Sequence, residues 1–454
     1  MNAASEATPE PSLARRLGPF DATMIVMGGI IGAGIFVNPS VVARQVHSPM
    51  LVLGAWLIGG VIALIGAFVY AELAVLQPRV GGQYAYLRDA YHPIVAFLYG
   101  WTLLLVVQTG GMAGAAIIFG RYFRELSGLA IPEQAVAAMT LGILTLINCL
   151  GIRSGSNVQS ALMLTKLGAI ALLIAVGLFA APTATGLTTN ALTPASSGDG
   201  ALTGLAAAMV PVLFAYGGWQ TATFVSGEMR NPRRDLPRGL FIGVAGVIVL
   251  YLLVTYVCLR VLGVEGLANT TTPASEVMRR VLGERGAKII ACGIALSTVG
   301  FLSQSILTAP RVYYAMARDG IFFKAVGYLN ARTRVPVIAI VLQGVWAAVV
   351  AMTGRYEQIL NYVVTIDVLF FGLTGASLLV FRARARREGT EQAHGDLVRV
   401  PWHPITTGLF VLACWSVAIS TLVRFPQNAG IGVAILGLGA LVYYFWAAPR
   451  PTGP

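Results

Sequence analysis

The sequence predicts an all-α polytopic membrane protein of twelve transmembrane helices, two inverted sets of five followed by two more, with helices one and six discontinuous. Three observations predict it. Of 454 residues, 56% are hydrophobic and only 11% charged, and the mean hydropathy of +0.75 exceeds what a soluble domain of this size carries. The apolar runs last about twenty residues or more, the length a helix needs to cross a bilayer, whereas barrel strands alternate over about ten. Glycine interrupts two of these runs, at Gly28 to Phe36 (Gly-Gly-Ile-Ile-Gly-Ala-Gly-Ile-Phe) and at Phe214 to Trp219 (Phe-Ala-Tyr-Gly-Gly-Trp). Glycine there weakens the helix and bares backbone that hydrocarbon tolerates only around a cavity or a ligand.

Taken in order, residues 1–18 form a polar cytoplasmic tail that holds Arg15 and Arg16 and leads into a span far longer than a signal-peptide core. Span one runs from about Ala22 to Val46 and span two from Leu51 to Leu76, followed by a cytoplasmic stretch holding Arg79, Arg88 and Asp89. Span three, Pro93 to Phe123, is long enough to tilt. Spans four (Glu133 to Leu150) and five (Val158 to Ala180) complete a first unit, 19–181. A loop rich in Thr, Ser and Gly, 182–200, is read as extracellular. The second unit, 201–387, holds span six (Leu202 to Met229), seven (Leu240 to Leu262), eight (Ala287 to Ala317), nine (Val335 to Met352) and ten (Gln358 to Phe381). Arg382, Arg384, Arg386 and Arg387 close its inner side. Spans eleven (His403 to Val423) and twelve (Gly430 to Ala447) occupy 388–448, and 449–454 is a tail. Five is odd, so the second set enters the membrane with reversed polarity. Interrupted helices in corresponding places of two such halves point to a binding site at the bilayer midplane, an arrangement that resembles the LeuT fold.

The net charge of +12 and the isoelectric point near 9.8 would suit nucleic acid if the charges were clustered. They fall instead in alternate loops, roughly twenty Lys/Arg inside and about ten outside when both termini are cytoplasmic, the bias that orients membrane proteins. Charge therefore reports a multi-pass topology, assigned to the plasma (inner) membrane, and not a nucleic-acid partner. Cys149, Cys258, Cys292 and Cys414 are dispersed in apolar segments, with neither metal-like spacing nor a disulfide framework, and read as core filler. His47, His92, His394 and His403 lie near span ends or in loops and form no metal set. No serine, cysteine or carboxylate stands in a catalytic pattern with a histidine, which argues against an enzyme. The Gly-x-x-Gly-x-Gly of residues 29–34 lacks the βαβ setting of a nucleotide loop. No cofactor is expected.

At the first break, N–H groups near Gly32, Ala33 and Gly34 would lie at the positive end of a half-helix, which suits a carboxylate. Carbonyls freed near Gly29, Ile30 and Phe214 would suit an ammonium. Both together describe an amino acid. Close helix packing explains one glycine run as well, but explains two matched runs less readily. The substrate-binding candidates are Gly29, Ile30, Ile31, Gly32, Ala33, Gly34, Phe214, Ala215 and Gly217. Phe214 and Trp219 are gating candidates, against the plainer reading of packing aromatics. Gln220 either bonds across the break or makes a polar contact in the bundle. Lys166 is the only basic residue placed deep inside a span; it braces span one or loses its proton during transport, unless it snorkels to a surface. Asp367 in span ten is a proton carrier, a gate, or a structural carboxylate. No acid stands on spans one, three or six near the breaks, which favours neutral substrates.

Four stretches carry a resemblance: Gly28 to Val37; Phe214 to Trp219; Glu228 to Pro237, with Glu-x-x-Asn-Pro-x-x-x-x-Pro; and Leu307 to Gly320, with Pro310-Arg311 and Ala317-Arg318-Asp319-Gly320. Over nearly its whole length the sequence resembles the amino acid, polyamine and organocation transporters, and among them the L-type amino acid transporters and their bacterial relatives. The resemblance implies that amides at Ala33 and Gly34 hold the substrate α-carboxylate, and carbonyls around Ile30 and Phe214 its α-amino group. Lys166 matches the lysine that replaces a sodium ion of sodium-coupled relatives, implying sodium independence. Exchange is the habit of the L-type branch, while proton symport occurs among bacterial cousins with the same lysine. Gln220 stands where many L-type members have asparagine, and Gly110-Gly111-Met112 where some carry a polar contact, so Gly111 joins the selectivity candidates. Heteromeric members pair with a glycoprotein through a cysteine between spans three and four; none stands here, and no obligate partner subunit is expected. The expectation is a sodium-independent secondary transporter of neutral L-amino acids, working by alternating access and exchange, whose partners are the amino acid and the lipid bilayer. The alternatives are a proton-coupled symporter with Lys166 as proton site and, in a different class, an amino-acid-sensing receptor or a channel.

Overall fold

Long apolar runs opened by proline set the pattern of the chain. Proline lacks an N–H, which the first helical turn leaves unpaired in any case, so Pro19, Pro49, Pro93, Pro232, Pro273, Pro310 and Pro426 each stand in the opening turn of a helix. The computed structural model describes residues 17–77, 81–150, 156–180, 200–226, 229–330, 335–389 and 398–447. The expectations for residues 1–16, Arg79, the loop 182–199, Glu228, His394 and the tail 449–454 lie outside the described residues.

Among the described residues the architecture is all-helical, apart from one isolated bridge between Leu17 and Met229. Nine helices are long and apolar enough to cross a membrane, and three shorter apolar ones, Pro19–Ile30, Glu133–Cys149 and Val337–Thr353, fall where spans one, four and nine are expected. Helix Pro19–Ile30 packs on Pro232–Asn269, and Gly200–Tyr216 on Pro49–Leu76. Ser156–Ala175 packs on Pro273–Thr308, and Tyr356–Arg387 on Gln108–Ser127.

Several boundaries differ from the expectation, each for a local reason. Span seven begins earlier than expected, at Pro232, but ends where expected: Gly263, at φ 69°, breaks the helix just after Leu262, and a short second helix carries the chain to Asn269. Span eight likewise starts at Pro273 and kinks at Gly283, φ 68°. The stretch read as a cytoplasmic loop contains a helix, Gln83–Ala90, whose Tyr84, Tyr86 and Leu87 are buried. Tyr84 and Arg88 of this helix both bond Asp319. Of the four cysteines, all free, Cys258 and Cys414 are buried, Cys149 is half-buried and Cys292 is exposed, so Cys292 is not core filler. Its thiol stands on the outward face of span eight.

Span three is continuous from Pro93 to Ser127 but passes through a wide turn at Leu103–Val107. This turn is a π-bulge, and the Thr109 side-chain hydroxyl donates to the Leu104 carbonyl within it at 2.8 Å. Such bulges rotate the residues after them out of register, and they recur at functional sites. Here the rotated residues are Gln108 and Gly111, both on the central cavity wall.

Candidate functional site

Both expected breaks are present. The first helix ends at Ile30, leaves helical geometry at Ile31, resumes as a short 3-10 turn over Gly34–Phe36 and continues as Asn38–Val46. The second ends at Tyr216, turns through residues 217–220 and resumes as Thr221–Phe224. A helix end leaves four carbonyls or four N–H groups without intrahelical partners, so each has to be followed to its partner.

At the carbonyl end of Pro19–Ile30, Met27 O accepts from Ile31 N at 2.7 Å. Lys166 Nζ donates to Ile31 O at 2.8 Å and to Gly28 O at 3.4 Å. Ile30 O accepts from Gly32 N at 2.7 Å and from the Tyr251 hydroxyl at 2.9 Å. The same hydroxyl lies 3.3 Å from Ala215 O, so one side chain of span seven reaches both breaks. No described donor reaches Gly29 O, and no described acceptor takes the N–H of Ala33 or Gly34. Two bare amides therefore stand just before the resumed helix, where its positive end favours an anion.

The second break is held from within. Gly217 N donates to Leu213 O at 2.9 Å, Gly218 N to the Gln220 side-chain oxygen at 2.9 Å, and Thr221 Oγ1 to Gly218 O at 2.7 Å. Gly218 has φ +102°, and a Cβ there would come within 2.1 Å of Gly29 O. A Cβ on Gly29 would meet Gly218 O at 2.6 Å. The two breaks thus cross backbone to backbone, and only glycine fits at Gly218.

Between them lies a cavity of about 90 Å³, several times the roughly 10–15 Å³ that one water requires. Gly29, Ile30, Gly32, Ala33, Gly34, Phe214, Ala215 and Gly217 line it, as do Gly111, Gln220 and Asp367. Phe214 presents its ring there, edge-on to Tyr356 with centroids 6.3 Å apart. Gly111 points a bare Cα into open space.

Other candidates sit elsewhere. Ile31 is not on the wall; it is buried, and Lys166 takes its carbonyl. Gly32 lines the cavity, but its N–H is spent on Ile30 O, so the bare amides are two where three were expected. Ile30 O already has two donors, because the chain reverses so tightly after it that its carbonyl faces Gly32 N and Tyr251 together. Trp219 is buried away from the cavity, edge-on to Tyr70 at 4.5 Å and stacked on Phe371 at 5.1 Å. Gln220 bonds inside its own turn. Lys166 does not snorkel: it is 2% exposed, its ammonium 5.8 Å from the Phe301 ring centroid. Asp367 is on the wall although no acid stands on spans one, three or six, because span ten presents it towards Gly217.

Tyr251, Phe301, Gln304 and Gln108 are not singled out by the sequence, yet they shape the site. Gln304 donates to Ile25 O at 3.3 Å, and Phe301 lies 3.3 Å from where a Cβ on Gly32 would sit. A single glutamine or aromatic in a long apolar run gives no periodic signal; the one available hint is that polar groups in such runs face the bundle interior.

The family model described as amino acid permease matches residues 17–445. The b(0,+)-type amino acid transporter 1 of Oryctolagus cuniculus is 32% identical over 378 residues, 82% of this chain and 77% of that protein. The same-named protein of Homo sapiens is 31% identical over 439 residues, 96% and 88% of the two chains. The large neutral amino acids transporter small subunit 2 of Homo sapiens is 29% identical over 462 residues, 97% and 83%. Its name makes it one subunit of an assembly, so these relatives lend no support to the expectation that a partner is absent. With a family match over nearly its full length, two broken helices around a central cavity and apolar helices throughout, the chain belongs to the amino acid permeases of the amino acid, polyamine and organocation superfamily, membrane transporters and not enzymes.

Proposed function

We propose that this protein is a sodium-independent secondary transporter of neutral L-amino acids that works by alternating access and exchanges one amino acid for another. One observation carries the proposal: the amides of Ala33 and Gly34, which no described acceptor takes, and the Gly29 carbonyl, which no described donor takes, belong to residues that line one cavity where two broken helices cross. An anion acceptor and a cation acceptor that close together match the zwitterion common to amino acids. The zwitterion would be gripped by the Ala33 and Gly34 amides and the Gly29 carbonyl, with Ile30, Gly32, Phe214, Ala215 and Gly217 lining the cavity around it, Phe214 as gate and Gly111 as the opening for the side chain. Apolar walls from Val107, Met112, Ile118 and Val363 suit a neutral side chain.

Sodium independence is supported by Lys166, whose ammonium lies between Gly28 O and Ile31 O, the kind of carbonyl site a cation would otherwise fill. The proposed architecture is twelve spans with both termini cytoplasmic in the plasma membrane, residues 19–181 and 201–387 forming inverted repeats in the manner of the LeuT fold, and 388–448 adding two spans. The packing supports the repeat: span one meets seven as six meets two, and span five meets eight as ten meets three, each pair exchanged by a shift of five. With no cysteine between Gly128 and Glu133, the chain is proposed to work without an obligate partner subunit. The relatives' names, large neutral amino acids transporter and b(0,+)-type amino acid transporter, support the substrate class.

A second reading, proton-coupled symport through Lys166, is favoured by one observation: its described partners are carbonyls and a ring, with no carboxylate to fix its charge. Uptake of labelled leucine into liposomes separates the readings. Exchange requires internal amino acid to accelerate uptake, with sodium and choline buffers equivalent. Accumulation driven by acid outside, with no effect of internal amino acid, would replace exchange by symport. Linear, unsaturable flux would instead make the protein a channel, and binding without flux a receptor.

A further inference from the structure

Arg230, Arg233, Arg234 and Arg238 stand exposed where span seven begins. Elsewhere arginines at the span ends meet carboxylates: Arg44 with Glu357 at 3.0 Å, Arg121 with Glu133 at 2.9 Å, Arg279 with Glu125 at 2.7 Å and Arg382 with Glu72 at 2.7 Å. Among the described residues, none of the four at span seven has such a partner. The one acid between them, Asp235, is buried, and its carboxylate accepts from Asn231 N at 3.2 Å, inside its own turn. Arg233, Arg234 and Arg238 also occupy the first two turns of the helix, where the positive end of the backbone adds to their charge instead of offsetting it. The patch is therefore a concentrated positive charge that the described protein leaves uncompensated.

Beyond the arginines the same face turns apolar. Arg234, Arg238, Ile242, Ala245 and Val249 follow one another at steps of three or four residues, so they share one stripe of the helix. Ile242 and Val249 are 61% and 57% exposed. Phe20, also exposed, stands at about the height of Arg238 on span one, whose Ala22 packs against Gly239. From Arg238 to Val249 the helix rises about 17 Å, roughly half the thickness of the hydrocarbon. A charged head over one leaflet's depth of apolar surface is the outline of a phospholipid. We propose that the start of span seven is a seat for an anionic phospholipid, with Arg233, Arg234 and Arg238 holding its phosphate headgroup and the stripe beyond them carrying an acyl chain. Guanidinium forks match phosphate oxygens two at a time. The charge selects an anionic lipid, because a zwitterionic headgroup brings its own cation and leaves the patch uncompensated. The membrane face on which both termini are proposed to lie is the one that carries such lipids.

The test follows the thermal unfolding midpoint of the whole, detergent-solubilised chain as dioleoyl phosphatidylglycerol, dioleoyl phosphatidylcholine, glycerol 3-phosphate or inorganic phosphate is added. Native mass spectrometry counts the lipid retained. Phosphatidylglycerol is expected to be retained and to raise the midpoint at concentrations where phosphatidylcholine and the two soluble phosphates do not. Arg234→Gln with Arg238→Gln should raise the phosphatidylglycerol concentration required by about 30-fold, about fivefold for each arginine. Arg387→Gln with Lys324→Gln removes as much charge from two other exposed positions and should leave that concentration unchanged. Equal stabilisation by phosphatidylcholine overturns the inference, because the apolar stripe alone would then account for it. Equal stabilisation by the soluble phosphates does so too, by making the patch a site for free anions. An unchanged Arg234→Gln, Arg238→Gln protein also overturns it, as does a control pair that weakens phosphatidylglycerol to the same extent, since the attraction would then be spread over the whole basic surface. Should the Arg234→Gln, Arg238→Gln protein not fold, Arg233→Gln decides, with about a fivefold loss expected and no loss refuting the seat. None of these readouts depends on amino acid turnover, so their failure leaves the transport reading as it stands.

Discussion

The two broken helices solve the same problem in opposite ways. At the first, other spans hold the loose ends: Lys166 from span five takes Gly28 O and Ile31 O, and Tyr251 from span seven takes Ile30 O. At the second, Tyr251 reaches only Ala215 O ahead of the turn, and the turn itself closes through Gln220, Thr221 and the left-handed Gly218. A break braced from outside changes when its neighbours move, whereas one closed by its own residues keeps its shape. The first is thus the break whose hydrogen bonds would change with relative motion of the spans, and the second the one whose turn would not. The bare amides belong to the first, as a substrate-responsive element requires.

The sharpest way to break this contrast is at the crossing point. Gly218→Ala places a Cβ where the space to Gly29 O is 2.1 Å, on a residue with φ +102°. Neither backbone can yield without reopening a turn, so transport should fall by more than about 100-fold, about 2.7 kcal/mol or more on the barrier. Leucine exchange in liposomes reads this directly, with size-exclusion profiles separating misfolding from inactivity. Near-native exchange would show that the crossing is not held in this form. Removing the external brace comes next. Lys166→Ala strips two buried carbonyls of their donor, each worth about 1–3 kcal/mol when left unsatisfied, and turnover should drop about 10- to 100-fold. If Lys166→Ala exchanges leucine at the native rate, the first break does not depend on span five, and the asymmetry between the breaks disappears.

What the sequence makes legible follows from what each feature leaves in it. Both glycine runs stand out because glycine is out of place in a lipid-spanning helix, and Lys166 because an ammonium there is costly. Those signals gave the breaks, the lysine that bonds the first of them, and nine candidate positions of which eight line the cavity. Partners were harder. Tyr251 is one of three aromatics in span seven, and only the rotation of that helix brings its hydroxyl to Ile30. Rotation also decides Asp367, visible as an acid in span ten but placeable on the cavity only once the helix is packed. The same freedom hides the place of Trp219, whose neighbours Phe214 and Gly217 line the cavity while its own ring packs on Tyr70 and Phe371. Short helices between the long ones, such as Gln83–Ala90, went unseen because eight residues of mixed polarity give too short a window for a 3.6-residue period.

The mildest prediction uses two adjacent glycines on span three as each other's control. A Cβ on Gly110 would meet Val363 Cγ2 at 2.3 Å, inside the packed bundle, while a Cβ on Gly111 would meet nothing within 4 Å. The π-bulge at Leu103–Val107 sets this difference, because it turns Gly111 and not Gly110 towards the cavity. Gly111→Ala should leave folding intact and take space from the substrate alone. Adding one methyl to a shaped pocket discriminates by about 1–3 kcal/mol at most, and the open space here puts the effect at the low end. The half-saturation concentration for leucine or phenylalanine should therefore rise by about threefold to tenfold relative to alanine, with maximal rates little changed. Gly110→Ala should instead lower the amount of folded protein and treat all substrates alike. If Gly111→Ala shifts alanine as much as phenylalanine, the side chain of the substrate does not point at span three, and the second break, through Phe214 and Asp367, would have to set selectivity by itself.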